Sequence, residues 1–288
     1  MRIIYTLYID IPDDEIDEQP PYRFDDVNKS LRTKWQLAKY ADQLQQSQAE
    51  YAQKCGAVYQ LFGHDRNYQF IYNWLHIIQP TMSHYDILNF YKLYLFTDVL
   101  PAQYDEVLYL DFDVIPNTKE NFFEKHDLNT VCIADQGDKK YDIVPNRPLD
   151  NRNPVSKYWH SHALCVDKDI EPPTGVFNTA IMGGNSSAIS KLKYFDNFEN
   201  VLNDMVRLKN DEMYTPNIRA GFGFDNETMF GYRVQQNDVP ITYLDEDWHC
   251  KVLDRAPAAM ERIKKTGKLL HFMNKRFELY YEDTDNGK

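Results

Sequence analysis

The stretch Val107-Leu108-Tyr109-Leu110-Asp111-Phe112-Asp113-Val114-Ile115-Pro116-Asn117 decides how the rest of the 288-residue chain is read. Four residues suited to a core run directly into two aspartates with one aromatic between them. A short apolar run without polar alternation is the pattern of a strand buried on both faces, as in the middle of a parallel sheet. In an extended chain alternate side chains share a face, so Asp111 and Asp113 point one way and Phe112 and Val114 the other. At a rise of ~3.3 Å per residue the two carboxylates stand ~6.5 Å apart and repel by about 2.5 kcal/mol at an effective dielectric of about 20. A solvated loop end relieves that repulsion, and so does a divalent cation held by hard oxygen ligands on one face. Ligands of open α/β sheets bind just beyond the carboxyl ends of the strands, where these acids fall, which favours the cation.

Outward from this strand the chain alternates strand and helix. Ile3 to Ile9 reads as a first strand, and the acidic, proline-punctuated segment Asp10 to Asp26 as a surface loop. A long helix is expected from Asn28 or Ser30 to a stop at Gly56, and then a second strand, Ala57 to Phe62. That βαβ start implies a parallel sheet. Ser83-His84-Tyr85-Asp86 has the form of a capping box, opening a helix with the apolar stripe Ile87, Phe90, Tyr91, Tyr94 and Leu95, which Pro101 ends. A strand is expected from Thr130 to Ala134, running into Asp135, and irregular chain from there to Pro173. The second half holds Gly175-Val-Phe-Asn-Thr-Ala-Ile-Met-Gly-Gly184, a helix from about Ser187 to Leu208, the glycine-broken stretch 220–232 and a last strand, Lys268 to Phe272. No interdomain linker stands out, so residues 1–288 read as one α/β domain with a mainly parallel central sheet flanked by helices.

Composition narrows the partners. The formal net charge of −12 argues against a phosphate-backbone partner or an anionic membrane surface, so nucleic acid is not expected. No run reaches the ~18 apolar residues of a transmembrane helix, and Arg2 to Ile11 reads as a strand rather than a signal sequence. Cys55, Cys132, Cys165 and Cys250 are scattered without a Cys-x-x-Cys pair, which points to reduced thiols and a cytoplasmic address. Glycosylation-like triplets occur at Asn28, Asn185 and Asn226; a glycan at Asn226 would obstruct the site suggested below, which agrees with that address. His160-x-His162-x-x-Cys165 has zinc-type ligands but lacks a fourth, and is read as structural.

Three segments carry a resemblance. Lys92 to Asn117, KLYLFTDVLPAQYDEVLYLDFDVIPN, resembles the segment leading into the Asp-x-Asp motif of GT-A fold glycosyltransferases, most closely the glycogenin-like family 8. GVFNTAIMGG resembles that family's Phe-Asn-x-Gly segment, with Thr179 and Ala180 departing from it, and Leu269 to Lys275, LLHFMNK, resembles its C-terminal strand. The resemblance implies a GT-A, Rossmann-like fold whose residues 1–115 bind a nucleotide sugar, while 116–288 supply the acceptor half and the C-terminal metal-site strand. It implies Asp111, Asp113 and His271 as ligands of Mn2+ or Mg2+, and Thr6, Tyr8, Lys92, Asp111, Asn178 and Lys275 as donor contacts. The implied activity is metal-dependent transfer from a nucleoside diphosphate sugar, a UDP-sugar, to an acceptor hydroxyl with retention. The family's last motif is half present, since Asn274 and Phe277 stand where it has glycine and lysine, leaving Lys275 and Arg276 to meet a diphosphate. Asp225 and Glu227, with Asn226 between them, are the candidates for the reacting centre or the sugar hydroxyls; as plain structure they read as a polar loop capping a helix.

Two other readings compete. A phosphatase of the haloacid dehalogenase type also places Asp-x-Asp after an apolar strand, using the first acid as nucleophile, but on the domain's first strand and with a downstream Gly-Asp-x-x-x-Asp that this chain lacks. A noncatalytic sugar-nucleotide or glycan-binding module of the same fold would keep the residues and lack turnover.

Overall fold

The apolar run before the acid pair is a strand, Glu106–Leu110, with Val107, Leu108, Tyr109 and Leu110 all buried. The computed structural model describes residues 1–16, 27–135, 154–214, 216, 219, 223–253 and 257–282. In chain order its elements are β1 (Arg2–Leu7), α1 (Lys29–Lys39), α2 (Ala41–Lys54), β2 (Val58–Phe62), α3 (Arg66–Ile78), α4 (His84–Tyr94), β3 (Glu106–Leu110), β4 (Val114–Pro116), α5 (Phe122–Lys125) and β5 (Val131–Asp135). They continue with α6 (Pro154–Asp167), β6 (Phe177–Asn185), α7 (Ser186–Ser190), α8 (Phe198–Asn210), α9 (Asn226–Gln236), β7 (Ile241–Leu244), β8 (Cys250–Val252), α10 (Pro257–Thr266), β9 (Leu269–Phe272) and α11 (Glu278–Tyr281).

The main sheet has the order β2-β1-β3-β6-β5-β7. β1 runs parallel to β2 and β3, β5 runs parallel to β7, and β6 runs antiparallel to both β3 and β5. One reversed strand therefore sits in an otherwise parallel sheet. A small second sheet, β4-β9-β8, pairs β4 antiparallel and β8 parallel to β9. The pleat divides the core between two faces. Ile3, Tyr5, Val107 and Tyr109 pack with Ile71, Phe90, Leu164, Met205 and Phe230 from α3, α4, α6, α8 and α9. Ile4, Leu108 and Leu110 pack on the other side with Tyr51 and Ala52 of α2, Phe122 of α5 and Trp248.

Local chemistry explains most element ends. Asn28 caps α1 by accepting from the amides of Ser30 and Leu31, and Gly56 takes the left-handed conformation, φ 63°, that ends α2. Ser83 Oγ accepts from the Asp86 amide and donates to the Asp86 carboxylate, opening α4. The structure differs from the sequence reading at several elements, among them β7, β8 and α10, for which the sequence reading holds no element. The single helix expected up to Gly56 is two, α1 and α2, because Tyr40 leaves helical geometry (φ −109°, ψ 13°). α3 was not anticipated, although Asp65 caps it and Tyr68, Ile71 and Leu75 line its buried side. The segment read as irregular up to Pro173 contains α6, with Pro154 in its first position, where a missing N–H costs nothing. The helix expected from Ser187 to Leu208 is split into α7 and α8 by Lys193 and Asn197, both at positive φ. The loop expected over residues 17–26, the irregular chain over 136–153 and the glycine-broken part of 220–222 lie outside the described residues.

All four cysteines are free; burial pushes the Cys132 and Cys165 thiols up to about 12, which makes them inert at neutral pH. No helix among the described residues is long and apolar enough to cross a membrane.

Candidate metal centre

The chain turns sharply as it leaves β3. The Asp111 amide donates to the Ala180 carbonyl of β6 (2.8 Å), and the Val114 amide donates back to the Asp111 carbonyl (2.9 Å). Gln48, fully buried on α2, holds the turn from behind by donating its amide to the carbonyls of Asp111 (3.0 Å) and Val114 (2.9 Å). The turn delivers Asp113 to the second sheet. There Val114 pairs with His271 of β9, and the Asp113 carbonyl accepts from the Phe272 amide at 3.1 Å. One ligand atom each from Asp111, Asp113 and His271 then lies within 4.8 Å of the others, closer than a straight strand would bring the two acids.

Two lysines bracket the acid pair. Asp113 is 5% exposed, and its Oδ2 meets the Lys275 ammonium and, at 3.5 Å, His271 Nε2. Burial opposes its ionisation, but Lys275 and then His271 outweigh burial and hold the carboxyl well below the usual carboxylate range. Asp111 is more open; its Oδ1 accepts from the Tyr109 hydroxyl and from Lys92 Nζ at 3.4 Å. Burial, followed by the charge of Asp111, pushes the Tyr109 phenol well above its ordinary value, so it stays a donor. Lys92 is itself buried, and its carbonyl accepts from the Tyr5 hydroxyl at 2.8 Å. A missed residue stands behind His271: His249 Nε2 lies 2.9 Å from His271 Nδ1, and burial, then the neighbouring His271, hold the His249 imidazole well below its ordinary pKa, so it is neutral at pH 7. Nothing in the sequence around Trp248-His249-Cys250 marks it, because its role depends on β8 lying beside β9.

The donor set suits a divalent ion. Two carboxylates and an imidazole are ligands that manganese accepts together. Ligands bound at about 2.1 Å stand about 3.0 Å apart at adjacent octahedral corners, so a 4.8 Å span closes with modest side-chain rotation. Among the described residues this is the only such cluster, and His160, His162 and Cys165 do not form one.

The remaining predicted residues divide. Tyr8, just past β1, stacks on Phe112 between the two acids (ring centroids 4.7 Å) and stays partly exposed. Thr6 is fully buried on the face of β1 that carries Ile4, and its hydroxyl has no hydrogen-bond partner among the described residues. Asn178 turns back on its own strand, accepting from the Ala180 amide at 3.1 Å, beside the register shift that lets Ala180 receive Asp111. Asp225 is the cap of α9, accepting from the Glu227 amide (3.1 Å) and the Thr228 hydroxyl (2.8 Å). Glu227 is buried and accepts from the Thr179 amide at 3.0 Å, while Asn226 donates to the Thr179 hydroxyl at 2.8 Å. The Phe-Asn-Thr-Ala and Asp-Asn-Glu segments thus meet at Thr179, one residue from the carbonyl that holds Asp111. Lys275 follows β9 at φ 54°, in the left-handed region, and its amide donates to the Phe272 carbonyl at 3.0 Å.

The chain is thus an α/β protein, a mainly parallel sheet with one reversed strand that carries an Asp-Asp-His cluster at the carboxyl end of its central strand. No protein-family model and no curated protein matches the chain. Solved structures it is similar to are glycosyltransferases. Mouse xyloside xylosyltransferase 1, in its apo form, is 13% identical with a TM-score of 0.41, over 75% of this chain and 75% of that one. The galactosyltransferase LgtC, solved with donor and acceptor sugar analogues, is 10% identical with a TM-score of 0.41, over 95% of this chain and 87% of that one. A glycosyltransferase involved in glycosylation of the major capsid of PBCV-1 is 11% identical with a TM-score of 0.39, over 96% and 97%.

Proposed function

We propose that the protein is a metal-dependent glycosyltransferase that moves a sugar from a nucleoside diphosphate sugar, in the first instance a UDP-sugar, to an acceptor hydroxyl. The observation that carries this reading is the convergence of Asp111, Asp113 and His271 between Lys92 and Lys275 at the carboxyl end of β3. A divalent ion, Mn2+ or Mg2+, supplies charge stabilisation to a departing diphosphate when bound at such a site. Lys275 and Lys92 add positive charge on either side of it, Tyr8 offers a ring face beside Asp111, and Asn178 shapes the strand that holds Asp111. In this reading residues 1–115 form the donor half of one domain, and 116–288 the acceptor half and the metal-site strand. The third member of the cluster being a histidine rather than a further acid also separates the site from a haloacid dehalogenase-type phosphatase.

The decisive assay is a panel of nucleotide sugars with manganese, followed by NMR for release of nucleoside diphosphate. One donor is expected to hydrolyse slowly, to stop with chelator and to resume with added manganese. Tight nucleoside diphosphate binding without release from any donor, with acceptors present, would make the protein a noncatalytic binder; absence of manganese-dependent binding of any nucleoside diphosphate would end the reading altogether.

Transfer with retention breaks the bond from the anomeric carbon to the diphosphate oxygen, forms one to the acceptor oxygen, and sends the acceptor proton to the departing diphosphate. No protein base is then required, which suits Asp225 and Glu227, whose carboxylates are engaged in the α9 cap and with Thr179. Asp225→Asn keeps a capping side chain and is expected to slow transfer less than tenfold, whereas Asp225→Ala also loses about 1 kcal/mol of stability. The check is the anomer formed and the pH profile. An inverted product, with an acid-limb ionisation that vanishes in Asp225→Asn or Glu227→Gln, would make that carboxylate the base.

A further inference from the structure

We infer that His249 is a positioning residue that fixes the tautomer and direction of His271, an inference that rests on the metal-centre reading above. The two imidazoles approach with His249 Nε2 2.9 Å from His271 Nδ1, ring planes within 19° and ring centroids 5.2 Å apart. Such rings meet edge to edge in nearly one plane; faces stacked at contact would bring the centroids closer. At that separation one nitrogen carries the proton and the other accepts it. If His249 donated, His271 would present a second N–H toward Asp113 and hold no lone pair for an ion. If His271 Nδ1 donates, its Nε2 lone pair points to where Asp111 and Asp113 converge, 3.5 Å from Asp113 Oδ2. Only the second arrangement completes the ligand set.

The surroundings are built to hold His249 in place. Its amide donates to the Asp245 carbonyl at 3.0 Å, and Asp245 Oδ1 accepts from the amides of Asp247 (3.0 Å) and Trp248 (2.9 Å), closing the turn that precedes β8. Trp248 is buried against Phe122, and β8 runs beside β9 with Lys251 opposite His271. Both imidazoles are 5% exposed, so solvent has little room to replace a missing partner. Partners of this kind orient ligating histidines, and losing one typically costs ten- to a hundredfold in metal affinity.

The test titrates Mn2+ alone into the full chain and reads free Mn2+ by EPR. His249→Phe, which keeps a ring but removes the acceptor, is expected to weaken binding by roughly ten- to a hundredfold, and His249→Gln, whose carbonyl still accepts, to recover most of it. His271→Ala is the control. If it weakens Mn2+ binding while a folded His249→Phe binds within twofold of wild type, the positioning role is overturned and the metal centre stands. If His271→Ala itself binds as wild type does, both fall. An independent readout needs no variant: with Zn2+ as a diamagnetic stand-in, nitrogen-15 NMR is expected to show the proton on His271 Nδ1 and a coupling across it to His249 Nε2. A proton on His249 Nε2 instead would overturn the inference.

Discussion

Asp113→Ala is expected to abolish manganese-dependent UDP binding and leave the main sheet folded. The side chain is the meeting point of the site, its Oδ2 facing both His271 and Lys275, whereas the backbone carbonyl, which alanine keeps, holds the Phe272 amide. Removing it leaves two ligands and an unbalanced ammonium next to the cation position. The loss should reach two to three orders of magnitude in affinity, about 3–4 kcal/mol. The fold should suffer less. A buried pair broken on one side ordinarily costs about 3–5 kcal/mol because the remaining charge is stranded. Lys275, however, keeps a side chain 17% exposed and follows the last strand, so it turns to water and the cost falls to about 1–2 kcal/mol. Calorimetric titration of UDP with and without manganese, beside a thermal melt, reads both quantities. UDP binding as tight as wild type in the presence of manganese would show that the metal assignment is wrong.

Gly183→Ala should be among the most destabilising single-methyl additions in the chain. Gly183 lies in β6 between Leu108 of β3 and Cys132 of β5, so its backbone is pinned on both sides. A Cβ there would overlap Phe122 Cε1 and stand 2.9 Å from Cζ. The Phe122 ring is fully buried and hemmed by His126 (centroids 4.5 Å) and Trp248 (5.6 Å), so it has nowhere to turn. Glycine to alanine inside a strand ordinarily gains about 0.5–1 kcal/mol from reduced backbone freedom, so the sign of the effect is diagnostic. Overpacking of this kind costs up to about 3 kcal/mol, which in a chain of this size lowers the melting temperature by roughly 5–10 °C. Phe122→Leu trims the offending ring edge and should recover part of the loss in the double variant, giving a coupling of about 1 kcal/mol or more. A melting temperature equal to wild type for Gly183→Ala alone would mean that the sheet and ring adjust where this packing says they do not.

How far the sequence reaches differs from residue to residue. β3 and the acid pair after it are legible because a buried apolar run and the acids that end it are consecutive residues, although a turn replaces the straight alternation expected between Asp111 and Asp113. Asn28, Ser83 and Gly56 mark helix ends for the same reason, since a cap or a positive φ acts within four positions. α3 has equally local signals, with Asp65 as cap and Tyr68, Ile71 and Leu75 in register, and reading them would have found it. Thr6 shows the limit of a linear argument. Its place in β1 follows from the apolar run around it, but the burial of its unpaired hydroxyl depends on packing that no neighbour in sequence announces.

The sequence by itself therefore determined the α/β alternation, the central strand and the acid pair that ends it, because each rests on consecutive residues, whereas His271 entered only through the resemblance of Leu269 to Lys275 to a known C-terminal strand. Only the tertiary structure decided that β6 is reversed, that Asp113 meets Lys275 across 162 positions, that Lys92 reaches Asp111, and that His249 stands behind His271. These depend on strand order and register. A slip of one residue between β4 and β9 would turn His271 away from Asp113 while leaving every local signal in the chain unchanged.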